Sequence, residues 1–242
     1  MLIASLTDKG IVRESNQDSY AAGELSGGVA WVVVCDGMGG ANGGNIASAL
    51  AVKSISESIN ANYREGMSSN SIRDLLLSAT ASANVSLYDT AQSVEALKGM
   101  GTTVVAAIIA SGVAHIVHAG DSRAYIYKDG SVYQITKDHS VVQSMIDDGK
   151  LTTNEAKKYP GKNIIVRALG VDRRTEGDYN EVNIDEGDMF IACTDGLTNF
   201  VEDDKIASVI NENPLKDCPK ILIDMANQNG GRDNITVVLV SR

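Results

Sequence analysis

The sequence predicts an α+β fold in which antiparallel sheets pack face to face and pairs of helices cover their outer sides. Short apolar stretches rich in Val, Ile and Tyr recur along the chain, and such stretches are typical of strands. Several of them are joined by very short turns, which indicates antiparallel rather than parallel neighbours. The helical patterns are grouped in pairs instead of alternating with single strands, so sheets and helices are expected in separate layers.

The strands are predicted from apolar content, from length and from the turns that bound them. The clearest hairpin lies at Asp129-Gly130, where apolar and polar residues alternate on both sides. Ser111-Gly112 interrupts the longest apolar tract, residues 103–119, which is therefore predicted as two strands around a tight turn rather than a membrane span. The predicted strands are Leu2–Leu6, Val29–Cys35, Thr103–Ala110, Val113–His118, Ala124–Lys128, Val132–Thr136, Met189–Thr194 and Ile235–Val240.

Helices are predicted where apolar residues recur every three to four positions. Between the first two helical patterns, residues Ser54 to Ser71 are rich in Ser and Asn and are predicted to hold an exposed loop. Pro160-Gly161 ends the third helical region. The predicted helices lie around residues 46–55 and 72–87, within 139–161, and around Asp204–Asn211 and Lys216–Asn227.

The composition indicates a single domain in a reducing compartment. The 242 residues contain no Pro-rich or Gly/Ser-rich linker, so one domain over residues 1–242 is expected. A net charge of −10 argues against nucleic acid as the main partner, because phosphate backbones recruit basic surfaces. Cys35, Cys193 and Cys218 are widely spaced and indicate neither a disulfide framework nor a zinc site. The first residues lack a signal-peptide pattern, so a cytoplasmic location without membrane contact is predicted.

Four aspartates stand where an apolar run ends against a glycine or a short polar turn: Asp36, Asp121, Asp195 and Asp233. A charge at the end of a buried strand is costly unless something offsets it. Neighbouring strand ends lie about 5 Å apart, so such carboxylates can share a ligand. A hard divalent cation suits them because it prefers oxygen ligands. The pattern therefore predicts a metal site at one edge of a sheet.

Each of these aspartates also has an ordinary structural interpretation when it is taken alone. Asp36-Gly37 and Asp195 precede helices through glycine-containing loops, and Asp233 could form an Asx turn before the last strand. The functional interpretation gains weight only because all of them follow the same pattern. Arg13 and Asp18 lie in a polar segment that is predicted to connect two strands. An arginine fork suits a phosphate group, but for an arginine taken alone a solvated loop position paired with Glu14 or another acid is the preferred interpretation.

The ordered set of motifs resembles a known family of enzymes. The motifs are VRESNQDSY, VVCDGMGG, MGTTVV, HAGDSRAY, KDHSVV, IVRALG, ACTDGLTN and GGRDNITVV. In this order they are similar to the metal-dependent protein serine/threonine phosphatases, the protein phosphatase 2C family, and in particular to its compact bacterial branch. Each motif is weak alone, but the set is specific and extends over nearly the whole chain.

The resemblance implies a four-layer α-β-β-α sandwich with two central, mainly antiparallel sheets and Mn²⁺ or Mg²⁺ ions at one end. Two ions are expected in the core site, with a third, weaker one beside them. A mobile flap subdomain is expected at about residues 139–165. By this resemblance, Asp36 would bridge the two core ions, Gly37 would contribute its backbone carbonyl, and Asp195 and Asp233 would complete the shell of the first ion. Asp18 would hold metal-bound waters, and Asp121 with Asp195 would bind the third ion. Arg13 would bind the substrate phosphate.

The resemblance also implies a mechanism without a covalent phospho-enzyme, in which a metal-bridging hydroxide attacks phosphorus while Arg13 orients the phosphate. Arg13 and Asp36 are therefore the expected catalytic residues. Two positions depart from the pattern of many eukaryotic relatives: Met38 stands in place of a histidine, and Gln17 in place of an acid. With Met38 there, the leaving group is expected to take its proton from water. His139 is expected to support the flap.

The sequence favours a phosphoserine/phosphothreonine phosphatase that reverses a bacterial serine/threonine kinase. Its expected partners are phosphorylated proteins, including such a kinase and its substrates, and the chain is expected to act as a monomer. One alternative is a phosphatase dedicated to a regulatory switch protein. Another is an inactive relative that only binds metal or phosphoproteins. Retention of Arg13, Asp36, Asp195 and Asp233 together argues against the inactive relative.

Overall fold

The computed structural model describes residues 1–242, apart from the side chains of residues 40–42. The strands are β1 (Leu2–Asp8), β2 (Asp18–Leu25), β3 (Val29–Met38), β4 (Gly101–Thr102), β5 (Val104–Ala110), β6 (Val113–Ala119), β7 (Arg123–Lys128), β8 (Ser131–Gln134), β9 (Asp178–Asn183), β10 (Met189–Cys193) and β11 (Ile235–Ser241). The α-helices are α1 (Gly40–Asn62), α2 (Ser69–Ser93), α3 (Val141–Asp147), α4 (Thr153–Ala156), α5 (Asp195–Thr198), α6 (Asp203–Glu212) and α7 (Cys218–Gln228).

The strands form two sheets. The first has the order β1-β11-β10-β7-β8, and the second has the order β2-β3-β5-β6-β9 with β4 beside β3. Every strand pair in the described part of the chain is antiparallel. The predicted α+β class and the four-layer sandwich are confirmed.

Three apolar clusters hold the layers together. The middle cluster lies between the sheets, where Val32 and Val34 of β3 face residues such as Phe190 of β10. The opposite face of β3, with Val33, packs under α1 and α2. A third cluster joins β10 and β11 to α6 and α7. Because β3 is buried on both faces, its sequence reads as an unbroken apolar run instead of an alternation.

The predicted strands are present, and β2, β4 and β9 are additional. Strand β2 forms one edge of the second sheet and β9 the other, and each has mostly partly exposed side chains. Edge strands bury less surface, so they carry fewer apolar residues and give a weaker sequence signal. Asp18, predicted to lie in a connecting segment, is in fact the first residue of β2.

The exposed loop predicted within Ser54–Ser71 is confined to residues 63–68, because α2 begins at Ser69 and α1 continues to Asn62. Its polar side chains bond back to the carbonyl groups of the preceding turn: Ser56 Oγ donates to Val52 O, and Asn60 Nδ2 donates to Ser56 O. Ile55 and Ile59 are meanwhile fully buried. Local side-chain bonds of this kind let Ser and Asn remain in a helix that tertiary packing stabilises.

The tight turns have the backbone that hairpins require. Asp129 and Gly130 have φ angles of 51° and 78°, and Ser111 and Gly112 have 50° and 81°. Left-handed values at both positions match the twist of the flanking strands. The two strands predicted around Ser111-Gly112 are thereby confirmed as β5 and β6. No helix in the described part of the chain combines the length and the apolar character needed to cross a membrane.

Candidate metal centre

The predicted site residues meet at one end of the sandwich. Asp36 lies near the end of β3, and Asp18 stands opposite it in the register of β2 and β3. The other three aspartates follow β6, follow β10 and precede β11. A cavity of about 500 Å³ opens there. Its lining includes Arg13, Asp36, Gly37, Asp121, Asp195 and Asp233.

Asp18 lies beneath this cavity instead of lining it. Its side chain is buried, and its Oδ2 atom accepts hydrogen bonds from Thr194 Oγ1 at 2.8 Å and Thr236 Oγ1 at 2.7 Å. Its Oδ1 atom is buried and has no hydrogen-bond partner. A buried carboxylate oxygen without a protein partner is costly, so this atom fits a site that binds a positive group.

The backbone of Asp36 is fixed by two threonines of the MGTTVV motif. Its N–H group donates to Thr103 Oγ1 at 2.9 Å, and its carbonyl oxygen accepts from Thr103 N at 2.9 Å and from Thr102 Oγ1 at 2.8 Å. These bonds hold the end of β3, so the direction of the Asp36 side chain is set by the sheet instead of by a flexible loop.

Asp195 and Asp233 are brought together by a close backbone approach. A Cβ atom on Gly196 would lie only 1.9 Å from the carbonyl oxygen of Asn234, so only glycine fits at this position. Asp195 Oδ2 accepts a hydrogen bond from Asn199 Nδ2 at 2.8 Å, whereas its buried Oδ1 atom has no partner. Asp195 therefore offers a second unpartnered carboxylate oxygen in the same region as Asp18.

Arg13 is paired with one of the predicted metal ligands. Its Nη2 atom lies 2.9 Å from Asp233 Oδ2, and about half of its side chain remains exposed. The loop before it is bound to the loop before Asp233, because Ile11 N and Val12 N both donate to Gly231 O. The guanidinium therefore stands at the rim of the cavity, where it can reach a ligand entering from solvent.

The pKa values of the clustered carboxylates are raised, because burial and mutual repulsion outweigh the nearby positive charges. Burial, together with neighbouring carboxylates, raises the pKa of Asp18 to about 7, of Asp121 to about 8 and of Asp195 to about 6. The pKa of Asp36 is raised well above its ordinary value for the same reasons, with burial as the larger cause. Groups that resist ionisation in this way, and that present unpartnered oxygens, fit a hard divalent cation.

A pH dependence of stability follows for the metal-free protein. Because folding raises the pKa of Asp18 and Asp121 to about 7 and about 8, the folded protein retains protons that the unfolded chain releases near pH 4. Its melting temperature in EDTA should therefore fall as the pH rises from about 5 to about 8. Added Mn²⁺ should raise the melting temperature more at pH 8 than at pH 5. A flat or rising melting temperature in EDTA would contradict this account.

A different trio also has metal-like spacing. Among the described residues, ligand atoms of His118, His139 and Asp178 all lie within 4.8 Å of one another. However, Arg167 Nη1 donates to Asp178 Oδ1 and lies 3.2 Å from His139 Nε2. The two imidazole rings are stacked, with centroids 4.6 Å apart, so their in-plane lone pairs do not converge. Arg167 already supplies the positive charge at this trio, and the aspartate site remains the better candidate.

The supporting residues of the site were not recognised from sequence. Thr102 and Thr103 belong to a motif that was noted, and Thr194 stands directly before Asp195, but no role was predicted for them. Asn234, next to Asp233, donates hydrogen bonds from its Nδ2 atom to Lys9 O and Ser15 O, in the segment between β1 and β2. The available signal was a hydroxyl or amide next to three of the strand-end aspartates: Ser122 beside Asp121, Thr194 beside Asp195 and Asn234 beside Asp233. Asp36, between Cys35 and Gly37, has no such neighbour.

This fold and this site define a class of protein: a metal-dependent protein serine/threonine phosphatase, with its carboxylates gathered at one end of an α-β-β-α sandwich. The family model of protein phosphatase 2C matches residues 11–236. The chain belongs to the protein phosphatase 2C family, and the resemblance seen in its motifs is confirmed.

Named relatives and solved structures agree with this assignment. The serine/threonine phosphatase stp of Listeria welshimeri is 35% identical over 240 residues, which are 98% of this chain and 94% of that protein. The solved serine/threonine phosphatase of S. agalactiae is 37% identical, with a TM-score of 0.92 over 98% of both chains. The catalytic domain of the phosphatase PstP, solved with two manganese ions, is 32% identical, with a TM-score of 0.87 over 99% of this chain and 97% of that one.

Proposed function

We propose that this phosphatase removes phosphate from phosphoserine and phosphothreonine in the substrates of a bacterial serine/threonine kinase, and acts on such a kinase itself. The observation that carries the proposal is that Arg13 and the strand-end aspartates line the same cavity. The proposal extends to action in the cytoplasm as a monomer. An inactive relative is disfavoured because each residue expected to act lies in or beneath that cavity.

The aspartates are proposed to hold Mn²⁺ or Mg²⁺, both of which accept oxygen ligands. Asp36 and the Gly37 carbonyl would hold the two core ions, with Asp195 and Asp233 on the first of them. Asp18 would support the core site from below, and Asp121 with Asp195 would hold a third ion. When bound, the ions would lower the pKa of a water molecule towards about 7 and neutralise charge on the phosphate.

The chain's own residues would bind and orient the substrate. The Arg13 fork can donate to two phosphate oxygens at once, and its partly exposed position lets it turn from Asp233 to the substrate. Histidine is absent among the described residues that line the cavity, and the Met38 thioether has no proton to give. The leaving alkoxide would therefore take its proton from water when the phosphorus–oxygen bond breaks.

The segment from about 139 to 165 is proposed to act as the flap of the single domain. It contains α3 and α4, and Asn163 and Ile165 contribute to the lining of the cavity. The two ends of the segment are joined, since Val141 N donates to Ile164 O at 2.9 Å. A segment anchored at its base and adjacent to the cavity can contact the protein part of a substrate.

The test is phosphate release from a phosphothreonine peptide and from its phosphotyrosine counterpart, each with Mn²⁺ and with EDTA. We expect rapid release from the phosphothreonine peptide, at least about tenfold slower release from phosphotyrosine, and none in EDTA, because the site supplies its chemistry through bound metal. A preference for phosphotyrosine would overturn the substrate class. Equal rates in Mn²⁺ and in EDTA would overturn the metal assignment.

A further inference from the structure

His139 binds both backbone groups of Gly120, the residue before Asp121. The backbone N–H group of His139 donates to Gly120 O at 2.9 Å, and the imidazole Nδ1 atom accepts from Gly120 N at 3.1 Å. The side chain is largely buried, and burial lowers the pKa of the imidazole, which favours the neutral ring. Because Nδ1 is an acceptor, the ring proton of the neutral form lies on Nε2.

The same histidine holds the other end of the flap and strand β9. Its carbonyl oxygen accepts from Val166 N at 2.8 Å, and its Nε2 atom lies 3.2 Å from Asp178 Oδ2. Val166 directly follows the proposed flap, and Asp178 is the first residue of β9. One residue therefore joins the start of the flap, its end, a strand of the second sheet and the turn that carries Asp121.

The turn that contains Gly120 and Asp121 packs against Thr103, which binds the backbone of Asp36. Gly120 has a φ angle of 112°, and a Cβ atom there would lie 2.6 Å from the side chain of Thr103. Thr103 Oγ1 accepts from Asp36 N and forms a hydrogen bond of 2.7 Å with Ser122 Oγ. A shift of the flap base would thus pass through Gly120 and Thr103 to the cavity.

We propose that His139 is a positioning residue that fixes the turn carrying Asp121 to both ends of the flap, so that the position of the flap and the direction of Asp121 are coupled. The coupling to metal binding rests on the proposed function, in which Asp121 is a ligand. His139 does not line the cavity, so its effect on the reaction passes through Gly120 and the flap. Its Nε2–H bond to Asp178 anchors the ring on the side away from Gly120, and Arg167 Nη1 donates to the other oxygen of the same carboxylate.

Two substitutions separate the contacts of the ring. Asparagine places its amide oxygen close to the position of Nδ1 and can still accept from Gly120 N, whereas glutamine places its amide nitrogen close to Nε2 and can still donate to Asp178. H139N should therefore preserve the Gly120 contact, and H139Q should lose it. The matched control is H115Q, since His115 is a second buried histidine that bonds Tyr179 on β9 and makes none of the Gly120 bonds.

The first measurement is amide hydrogen exchange in the metal-free protein, which needs neither metal nor catalysis. Loss of one buried hydrogen bond should speed exchange of the Gly120 amide about tenfold in H139Q, relative to amides in the middle of β5. H139N should stay within about threefold of the unchanged protein, and so should H115Q. Equal acceleration in H139N and H139Q, or no acceleration in H139Q, would overturn the proposal.

The second measurement is a calorimetric titration with Mn²⁺. We expect the weakest resolved binding step to weaken about tenfold in H139Q and not in H139N or H115Q, because only H139Q loses the side-chain bond that accepts from Gly120 N in the turn before Asp121. Faster Gly120 exchange with an unchanged titration would support the coupling and count against Asp121 as a ligand, which separates the inference from the proposed function. A weakened step in H115Q as well would overturn the specific role of His139.

A third variant protects the test if H139Q does not fold. D178N keeps an amide oxygen that can accept from Nε2 but removes the negative charge that pairs with Arg167, so it weakens the contacts on the side away from Gly120, at a side chain that is about half exposed. It should speed exchange in residues 139–165 while the Gly120 amide changes little, because the Nδ1 contact remains. Unchanged exchange in residues 139–165 in D178N would overturn the claim that His139 is anchored through β9.

Discussion

Replacing Asp36 with Asn should abolish phosphatase activity and yet leave a folded protein that is more stable than the unchanged one in the absence of metal. Asparagine keeps the shape of the side chain but loses the charge that would bind two ions, so turnover should fall by about 10³-fold or more. In metal-free protein at pH 8, ionised Asp36 is costly because burial and its neighbours raise its pKa. Removing that carboxylate should raise the melting temperature by a few degrees, at roughly 2–4 °C per kcal/mol in a domain of this size.

The experiment combines phosphate release in Mn²⁺ with melting curves in EDTA and in Mn²⁺. D188N is the matched control, because Asp188 is a buried aspartate that lies beside Met189, which pairs with Ser241 at the opposite end of the sheet. That control should retain activity and the full stabilisation by Mn²⁺. A folded D36N variant with near-normal turnover would remove Asp36 from the metal site. A variant that melts lower in EDTA at pH 8 would contradict the electrostatic account.

Replacing Arg13 with Ala should lower kcat/KM for phosphopeptides by roughly 10- to 100-fold, the effect expected from losing charge-assisted hydrogen bonds of about 1.5–3 kcal/mol. Inhibition by inorganic phosphate should weaken in parallel, because the same guanidinium would bind it. The affinity for Mn²⁺ should rise, because Asp233 is no longer paired with the Arg13 guanidinium that contacts its Oδ2 atom in the metal-free protein. Steady-state kinetics and a metal titration measure these effects.

Two further variants serve as controls for R13A. R73A removes another partly exposed arginine with a carboxylate neighbour, on the distant helix α2, and should change none of these quantities. R13K keeps the charge without the two-pronged fork, so it should recover only part of the lost kcat/KM. Unchanged phosphate inhibition in R13A would show that another group binds the phosphate.

The sequence was sufficient for most of the fold because buried elements carry strong patterns. Strand β3 was visible as an unbroken apolar run, and α2 as a regular apolar face, since both are packed on a core. Strands β2 and β9 were missed because edge strands need few apolar residues, and the polar residues of α1 after Ser54 resembled a loop. In each case tertiary packing decided what local composition left open.

The site was predictable to a similar extent. Strand-end aspartates can be recognised one by one, but their convergence depends on which strands neighbour each other. The buried position of Asp18 depends on its register opposite Asp36 and on threonines far away in the chain, at 194 and 236. The pairing of Arg13 with Asp233 likewise joins residues that are 220 positions apart. Contacts of this kind have no local sequence signal.

Strands β1 and β11 pair along their whole length, with Leu2 opposite Ser241 and Asp8 opposite Ile235. Asp233 lies just before the second of these pairs, so Leu2 and Ser241 lie side by side at the far end of the sheet from the candidate metal centre, about 20 Å away at roughly 3.4 Å per residue. An affinity handle, a fluorescent reporter or a surface anchor attached next to either residue would lie on the side of the molecule away from this site. The approach of a bulky phosphoprotein would stay open, whichever end carried the attachment.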